Sequence, residues 1–324
     1  MRVVDIIDAD GTLAIQEHPI PSPAPEELLI QVAAAGINRP DLLQRKGLYP
    51  PPPGASKILG LEVSGRVAAL GSEVKAFSIG DEVCALLPGG GYAEYAVAHE
   101  GSCLRKPQNL SLLEAATLPE VFFTVWSNLH DLAGIQAGER LLVHGGAGGI
   151  GLAAIQIGRL LGGQVFATAR SKEKYQFLEA LGAHCHPHPL EELSKGLKPD
   201  HQSPGLDVIL DIIGGDALST HIDLLNPGGR LLLIGLLGGS RSELNLAEVL
   251  KKRLTIQGST LRNRPSFQKT AIRDALLARV WPEIEAGRIQ TFVDSVFPME
   301  AAAEAHHRMK SSLHTGKIVL EINP

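Results

Sequence analysis

The sequence predicts an α/β protein in two parts, one β-rich and barrel-like, the other a doubly wound parallel sheet. Three observations predict it. Short apolar runs separated by Pro and Gly turns fill residues 1–119, the pattern of a small all-β unit. From residue 120 onward strand-like runs alternate with helical periodicity, as in a parallel sheet with helices on both faces. After residue 263 two further strand-like runs stand almost alone, too few to form their own unit, so the chain is expected to return to its first part. The expected divisions are 1–119, 120–262 and 263–324.

In chain order, residues 27–32, 62–68 and 81–86 read as strands of the first part. Between them, residues 35–50 set polar Asn38, Asp41 and Tyr49 among apolar neighbours, a candidate site. Ser111 and Glu114 have capping-box spacing, and a helix is expected over 118–129. Leu141, Leu142 and Val143 then form a buried strand, Gly146, Gly148 and Gly151 fit G-x-G-x-x-G, and Ile150, Ala154, Ile157 and Leu161 recur at helical spacing. A second strand over 164–169 completes a βαβ unit. Further strands are expected at 206–211, 229–235 and 254–258, a helix over 269–286, and final strands at 293–297 and 316–322.

That glycine turn points to a dinucleotide. Gly146 is expected to make the tight turn, Gly148 to let backbone approach a pyrophosphate, and Gly151 to pack helix on strand. The N–H groups of the turn and the helix dipole would hold the anion. No acid stands at the end of the second strand to bond a ribose 2′-hydroxyl; Ala169 is followed by Arg170, Ser171 and, one turn on, Lys174. Two cations and a hydroxyl suit a 2′-phosphate, through charge-assisted hydrogen bonds of roughly 1.5–3 kcal/mol each before desolvation. NADPH is therefore expected over NADH, by at least tenfold.

Composition narrows the partners. The 324 residues are 44% hydrophobic and 20% charged with net charge −5, which gives no general attraction to nucleic acid or anionic membrane. No apolar run reaches spanning length and no signal-peptide pattern opens the chain, so the cytoplasm is the expected location. Cys84, Cys103 and Cys185 are too scattered for a disulfide framework or a zinc knuckle.

Several stretches resemble the zinc-free medium-chain dehydrogenase/reductases, specifically the NADPH quinone oxidoreductases and the subgroup of the p53-inducible enzyme. They are Gly36-Ile-Asn-Arg-Pro-Asp41, Gly47-Leu-Tyr-Pro-Pro-Pro-Pro-Gly54, Ile58-Leu-Gly-Leu-Glu62, Leu86-Leu-Pro-Gly-Gly-Gly91, Ala147-Gly-Gly-Ile-Gly151 and Gly316-Lys-Ile-Val-Leu320. The resemblance implies a GroES-like catalytic domain from the first and last segments, a Rossmann domain from the middle, and a substrate cleft between them. It implies that Asn38 and Tyr49 face the nicotinamide, and that Thr124, Gly149, Ile150, Arg170, Ser171, Lys174, Gly235, Leu236, Leu237 and Ser259 contact cofactor. It also implies a homodimer paired through the strand at 254–258. Leu43 stands where some relatives have a second tyrosine, Arg170 where they have glycine, and Pro189 where a tyrosine often stacks.

The superfamily's zinc ligands correspond here to Asn38, Leu61 and Glu120. Leucine cannot bind zinc, and the other two replace soft or imidazole donors poorly, so no metal is expected in catalysis. Hydride transfer without a Lewis acid needs an electrophilic acceptor such as a quinone or conjugated enone. Tyr49 O–H or Asn38 N–H would then stabilise the growing oxyanion, and Tyr49 or water would supply a proton. The alternatives are a 2-alkenal or enone reductase and a non-catalytic NADPH-binding protein. His184, His186 and His188 alternate and would share one strand face, but surface histidines are the plainer reading than a metal site; His144 is expected to pack near the phosphate turn.

Overall fold

The computed structural model describes residues 1–187, 197 and 205–323. Two compact units divide the chain, Met1–Phe123 with Leu261–Pro324, and Thr124–Thr260. The first boundary lies inside the helix Pro119–Trp126.

In the first unit, β1 (Arg2–Ile6) and β2 (Leu13–Glu17) form an antiparallel hairpin, followed by β3 (Glu27–Gly36), β4 (Glu62–Leu70), β5 (Glu82–Leu86), β6 (Tyr95–His99) and β7 (Cys103–Arg105). The second unit carries β8 (Arg140–Val143), β9 (Gln164–Ala169), β10 (His184–Pro187), β11 (Leu206–Asp211), β12 (Leu225–Leu233) and β13 (Thr255–Gly258). β14 (Val293–Pro298) and β15 (Lys317–Glu321) then rejoin the first.

The ten-residue β3 organises the first unit. One edge pairs with β4; along the other, β6 takes Glu27 to Gln31 and β15 takes Ala34 to Gly36. Alternation puts Leu28, Ile30 and Val32 on one face, fully buried with Val63, Val83, Ile318 and Leu320. The last strand is thus hydrogen-bonded to the third, and the chain returns to its first sheet.

The second unit is a six-stranded parallel sheet in the order β10-β9-β8-β11-β12-β13. Its strand order reverses between β8 and β11, the point at which open α/β sheets hold ligands beyond the carboxyl ends of the strands. Leu141, Leu142, Val143, Ile209 and Leu210 are all at most 1% exposed, as central strands covered on both faces require.

Two expectations about elements need correction. The helix expected over 269–286 is two helices, Ser266–Arg279 and Trp281–Glu285. Pro282 explains the break: it lacks an N–H and its ring clashes with the carbonyl one turn back, so the first helix closes at Val280, which stays in the helical region but with φ widened to −108°. The strand expected at 229–235 starts at Leu225, but pairing with β11 skips from Leu225 to Arg230, and the strand ends at Leu233. The helices Ala217–Leu224, Leu246–Lys252 and Ala302–Ser311 and the short β1, β2, β6 and β7 were not legible as elements. Among the described residues no helix is long and apolar enough to cross a membrane.

Candidate active site

In the first unit, the polar stretch after β3 enters the helix Arg39–Arg45, with Asn38 as its N-cap and Pro40 in the first turn. Asp41 reaches back to accept the Asn38 N–H at 2.7 Å, which leaves the Asn38 side chain free for other partners. Lys317 Nζ donates to Asn38 Oδ1 and Glu62 Oε1, both at 2.6 Å, and to Ile37 O at 3.0 Å. Asn38 Nδ2 donates to Glu62 Oε1 at 2.8 Å and approaches Gly36 O at 3.3 Å. Because an ammonium only donates, the amide oxygen must be the atom facing Lys317. Glu62 Oε2 accepts the Glu120 N–H at 2.9 Å. Glu62 is 0% and Lys317 5% exposed. A Cβ on Gly36 would lie 2.3 Å from Glu62 Oε1, so only glycine lets the carboxylate sit there.

Both amide hydrogens of Asn38 are therefore directed at Glu62 and Gly36. A substrate oxyanion, the partner expected for the Asn38 N–H, would have to compete with these two acceptors. Asp41 lies deeper, accepting also from Gly60 N–H and Tyr92 O–H. Burial pushes its carboxyl up to about 6, against those hydrogen bonds and the charge of Lys317. Its contribution to stability is full below the ordinary value of 3.8 and is lost as the pH rises through about 6.

Tyr49 belongs to a neighbouring cluster of the same unit. The guanidinium of Arg262 lies 5.2 Å from its ring centroid. Arg262, 6% exposed, also donates to Tyr49 O, Gln44 Oε1 and Pro88 O. Lys269 Nζ in turn donates to Arg262 O at 2.9 Å. Burial and the charge of Glu120 push the Tyr49 phenol above its ordinary value, while Arg262 pulls it down. The phenol thus keeps its proton at neutral pH and can donate. Burial lowers the Lys269 ammonium, which Glu120 opposes.

In the second unit, every expected cofactor residue except Thr124 follows the carboxyl end of a strand. Gly146, Gly148, Gly149, Ile150 and Gly151 follow β8; Arg170, Ser171 and Lys174 follow β9; Gly235, Leu236 and Leu237 follow β12; Ser259 follows β13. The turn differs in one respect from the expected division of labour. Gly145, at φ +64°, makes the left-handed turn. Gly146 is constrained by packing instead, since a Cβ there would lie 2.9 Å from Ala167 Cβ. Gly151 packs as expected: its Cβ would meet Gly145 O at 2.4 Å and Gly146 O at 2.5 Å. A Cβ at Gly148 would meet only Gly145 O, at 3.6 Å, so this backbone stays approachable at the start of the helix Gly149–Leu160. These features fit a bound pyrophosphate. Thr124 lends its carbonyl to Ser127 and Asn128. Arg170 is exposed, and Ser171 stands at the N-cap position of the helix Lys172–Ala180 without a side-chain cap hydrogen bond. Leu236 and Leu237 are 55% and 51% exposed.

β10 is an edge strand. His184 and His186 on it both lie against Phe166, at 5.1 and 5.8 Å between ring centroids, and Arg140 stacks on the same ring at 4.6 Å. His188 and Pro189 lie outside the described residues.

Residues 24–108 match the alcohol dehydrogenase GroES-like domain, and residues 149–276 match the zinc-binding dehydrogenase domain. Over 99% of its length the chain is 34% identical to a quinone oxidoreductase of Lama guanicoe and 31% identical to that of Homo sapiens, covering 97% of each. The chain belongs to the quinone oxidoreductase family of medium-chain dehydrogenase/reductases. Its fold also matches the crystal structure of an NAD-dependent alcohol dehydrogenase (TM-score 0.83, 31% identity, 100% of both chains). The CurK enoyl reductase matches as well (TM-score 0.85, 29% identity, 99% of both chains). This quinone oxidoreductase family member is an oxidoreductase with the fold of nicotinamide-dependent dehydrogenases.

The zinc that such a fold carries in some members does not fit the residues of the first unit. Asn38 Oδ1 already faces an ammonium at 2.6 Å, Leu61 offers no lone pair, and Lys317 supplies the positive charge that Glu62 needs. Sequence reasoning missed Lys317, Glu62, Arg262 and Lys269 as members of these clusters. The legible signal was a lysine placed before the apolar run Ile318–Leu320 of β15, directly after Gly316.

Lys317→Met should strand a buried carboxylate and lower stability by about 3–5 kcal/mol in urea denaturation. Combining it with Glu62→Gln should restore part of that loss; a double variant no more stable than Lys317→Met would show that the ion pair does not carry the effect.

Proposed function

We propose that this protein is an NADPH-dependent quinone oxidoreductase that transfers a hydride to quinones without a metal ion. The observation that carries the reading is the Lys317–Glu62–Asn38 cluster, in which Asn38, at one of the positions that correspond to zinc ligands, turns its amide oxygen to a fixed ammonium. An acceptor reduced without a Lewis acid has to be electrophilic by itself. Likeness to quinone oxidoreductases along almost the whole chain supports the same acceptor class.

The nucleotide, when bound, supplies the hydride; the protein supplies placement and a proton. Gly146 to Gly151 would receive the pyrophosphate on backbone N–H groups, with Gly148 the point of closest approach. Arg170, Ser171 and Lys174 would take the 2′-phosphate, and Gly235 to Leu237, Thr124 and Ser259 would border the remainder. Tyr49, protonated at neutral pH and backed by Arg262, would donate its O–H to the acceptor oxygen as charge grows there. Asn38 acts through Glu62 and Lys317, as a positioning residue.

One observation favours a second reading. The match to an enoyl reductase points to a conjugated carbonyl in place of the quinone, with the same hydride chemistry. We also propose a homodimer. β13 is an edge strand, and Leu246 and Leu250 of the helix preceding it are 70% and 79% exposed, an apolar patch suited to a two-fold partner.

For the cofactor, kcat/KM with NADPH should exceed that with NADH at least tenfold, and Arg170→Ser should cut the ratio by about tenfold; equal values in the wild type would remove the 2′-phosphate reading. Tyr49→Phe should lower kcat for 1,2-naphthoquinone by tenfold or more, as loss of a general acid does, and a drop under threefold would remove the donor role. Running a 2-alkenal beside the quinone ranks the two acceptor classes. Light scattering should give twice the chain mass, and a monomer would sink the edge-strand pairing.

A further inference from the structure

Three polar side chains of the second unit have no place in the hydride-transfer reading. His144 follows β8, Asp211 ends β11, and His221 lies on the helix Ala217–Leu224. They are 1%, 0% and 0% exposed. One ligand atom from each lies within 4.8 Å of the other two, and the two imidazole rings are 4.7 Å apart between centroids. This is a polar pocket; the expectation that His144 simply packs by the phosphate turn leaves it unexplained.

The distances say more than proximity. His221 Nδ1 lies 3.3 Å from Asp211 Oδ2, yet among the described residues neither ring nitrogen of His221 makes a hydrogen bond of regular geometry. A fully buried imidazole is costly to leave in that condition. Two donor atoms bound to one tetrahedral ion at 2.0–2.1 Å stand roughly 3.3–3.4 Å apart, so the His221–Asp211 separation is that of co-ligands. The outer partners are in place too. His144 Nδ1 is 3.2 Å from Thr168 Oγ1, which orients the ring and leaves Nε2 as its ligand atom. Asp211 Oδ1 accepts the Ile213 N–H at 2.6 Å, which fixes the carboxylate.

We propose that His144, Asp211 and His221 form a site for a divalent transition-metal ion of the zinc class. Two imidazole nitrogens and one carboxylate oxygen are a common donor set for Zn²⁺, and one that also takes Co²⁺ and Ni²⁺. The ion would join the turn after β8 to the turn after β11 within the nucleotide unit. It is separate from Asn38, Leu61 and Glu120 and has no part in hydride transfer, so it stands or falls apart from the quinone reading.

The test uses the whole chain, stripped with a chelator and titrated with Co²⁺ alone. The wild type should bind one equivalent with visible d–d absorption. His221→Gln and Asp211→Asn should each lose that absorption, whereas the paired change His184→Ala/His186→Ala should keep it. Zn²⁺ at a hundredfold excess over its Kd should raise the wild-type Tm by roughly 4 °C, and His221→Gln should show no such rise. Should His221→Gln fail to fold by circular dichroism, the titration of the His184→Ala/His186→Ala protein decides, because it leaves the buried cluster intact. Absorption absent from the wild type, abolished by the His184/His186 change, or retained in a folded His221→Gln would each overturn the site.

Discussion

The first unit depends on one buried charge pair. Glu62 has no solvent to stabilise its carboxylate, and Lys317 is the cation that makes its burial tolerable. An ion pair of this kind adds little net stability over apolar packing, but removing one partner is severe, because a bare charge remains. Specificity follows from that asymmetry. The pair binds together the end of β3, the start of β4, the entry to the helix Pro119–Trp126 and the start of β15, and a shift of β15 by one residue would turn Lys317 to the other face of its sheet. The close approach at Gly36 belongs to the same constraint, since a side chain there would displace the carboxylate.

The second unit works by different physics. Its glycine turn is shaped mainly by backbone, through the left-handed Gly145, whose N–H meets the Thr168 hydroxyl, and the close fit of Gly151 on the carbonyls of Gly145 and Gly146. The result is a helix start whose N–H groups are presented at a strand-order reversal, a surface that attracts an anion before any basic residue is counted. Arg170 and Lys174 would then only choose between two versions of the same nucleotide.

The parallel sheet was the most legible part of the sequence, and the reason is physical. β9 and β11 are six-residue, mostly buried strands whose runs stop at Arg170 and Asp211, so their bounds could be read directly. The helix Ala217–Leu224 was not legible, because its buried face includes His221, which breaks the apolar periodicity. The helical periodicity of residues 269–286 continues across Pro282, but the ring's clash with the preceding turn outweighs it. At the candidate site, Asn38 and Tyr49 were legible as polar interruptions, whereas the role of Asn38 was not, because it is set by Lys317, 279 residues away. Arg262 and Lys269 carry no local pattern at all and become meaningful only beside Tyr49 and Gln44.

The insertion of one unit within the other has a consequence for how the chain is made. Thr124–Thr260 is a single stretch of sequence, and its parallel strands all find partners inside that stretch. During synthesis it is complete while the other unit still lacks β14 and β15. That other unit must keep the edge of β3 at Ala34 to Gly36 unpaired, and the Glu62 carboxylate without its cation, until β15 leaves the ribosome. Closing contacts across so long a separation is slow. The inserted unit is thus the early-maturing half of the molecule, and the unit that holds Asn38 and Tyr49 is the last to become whole.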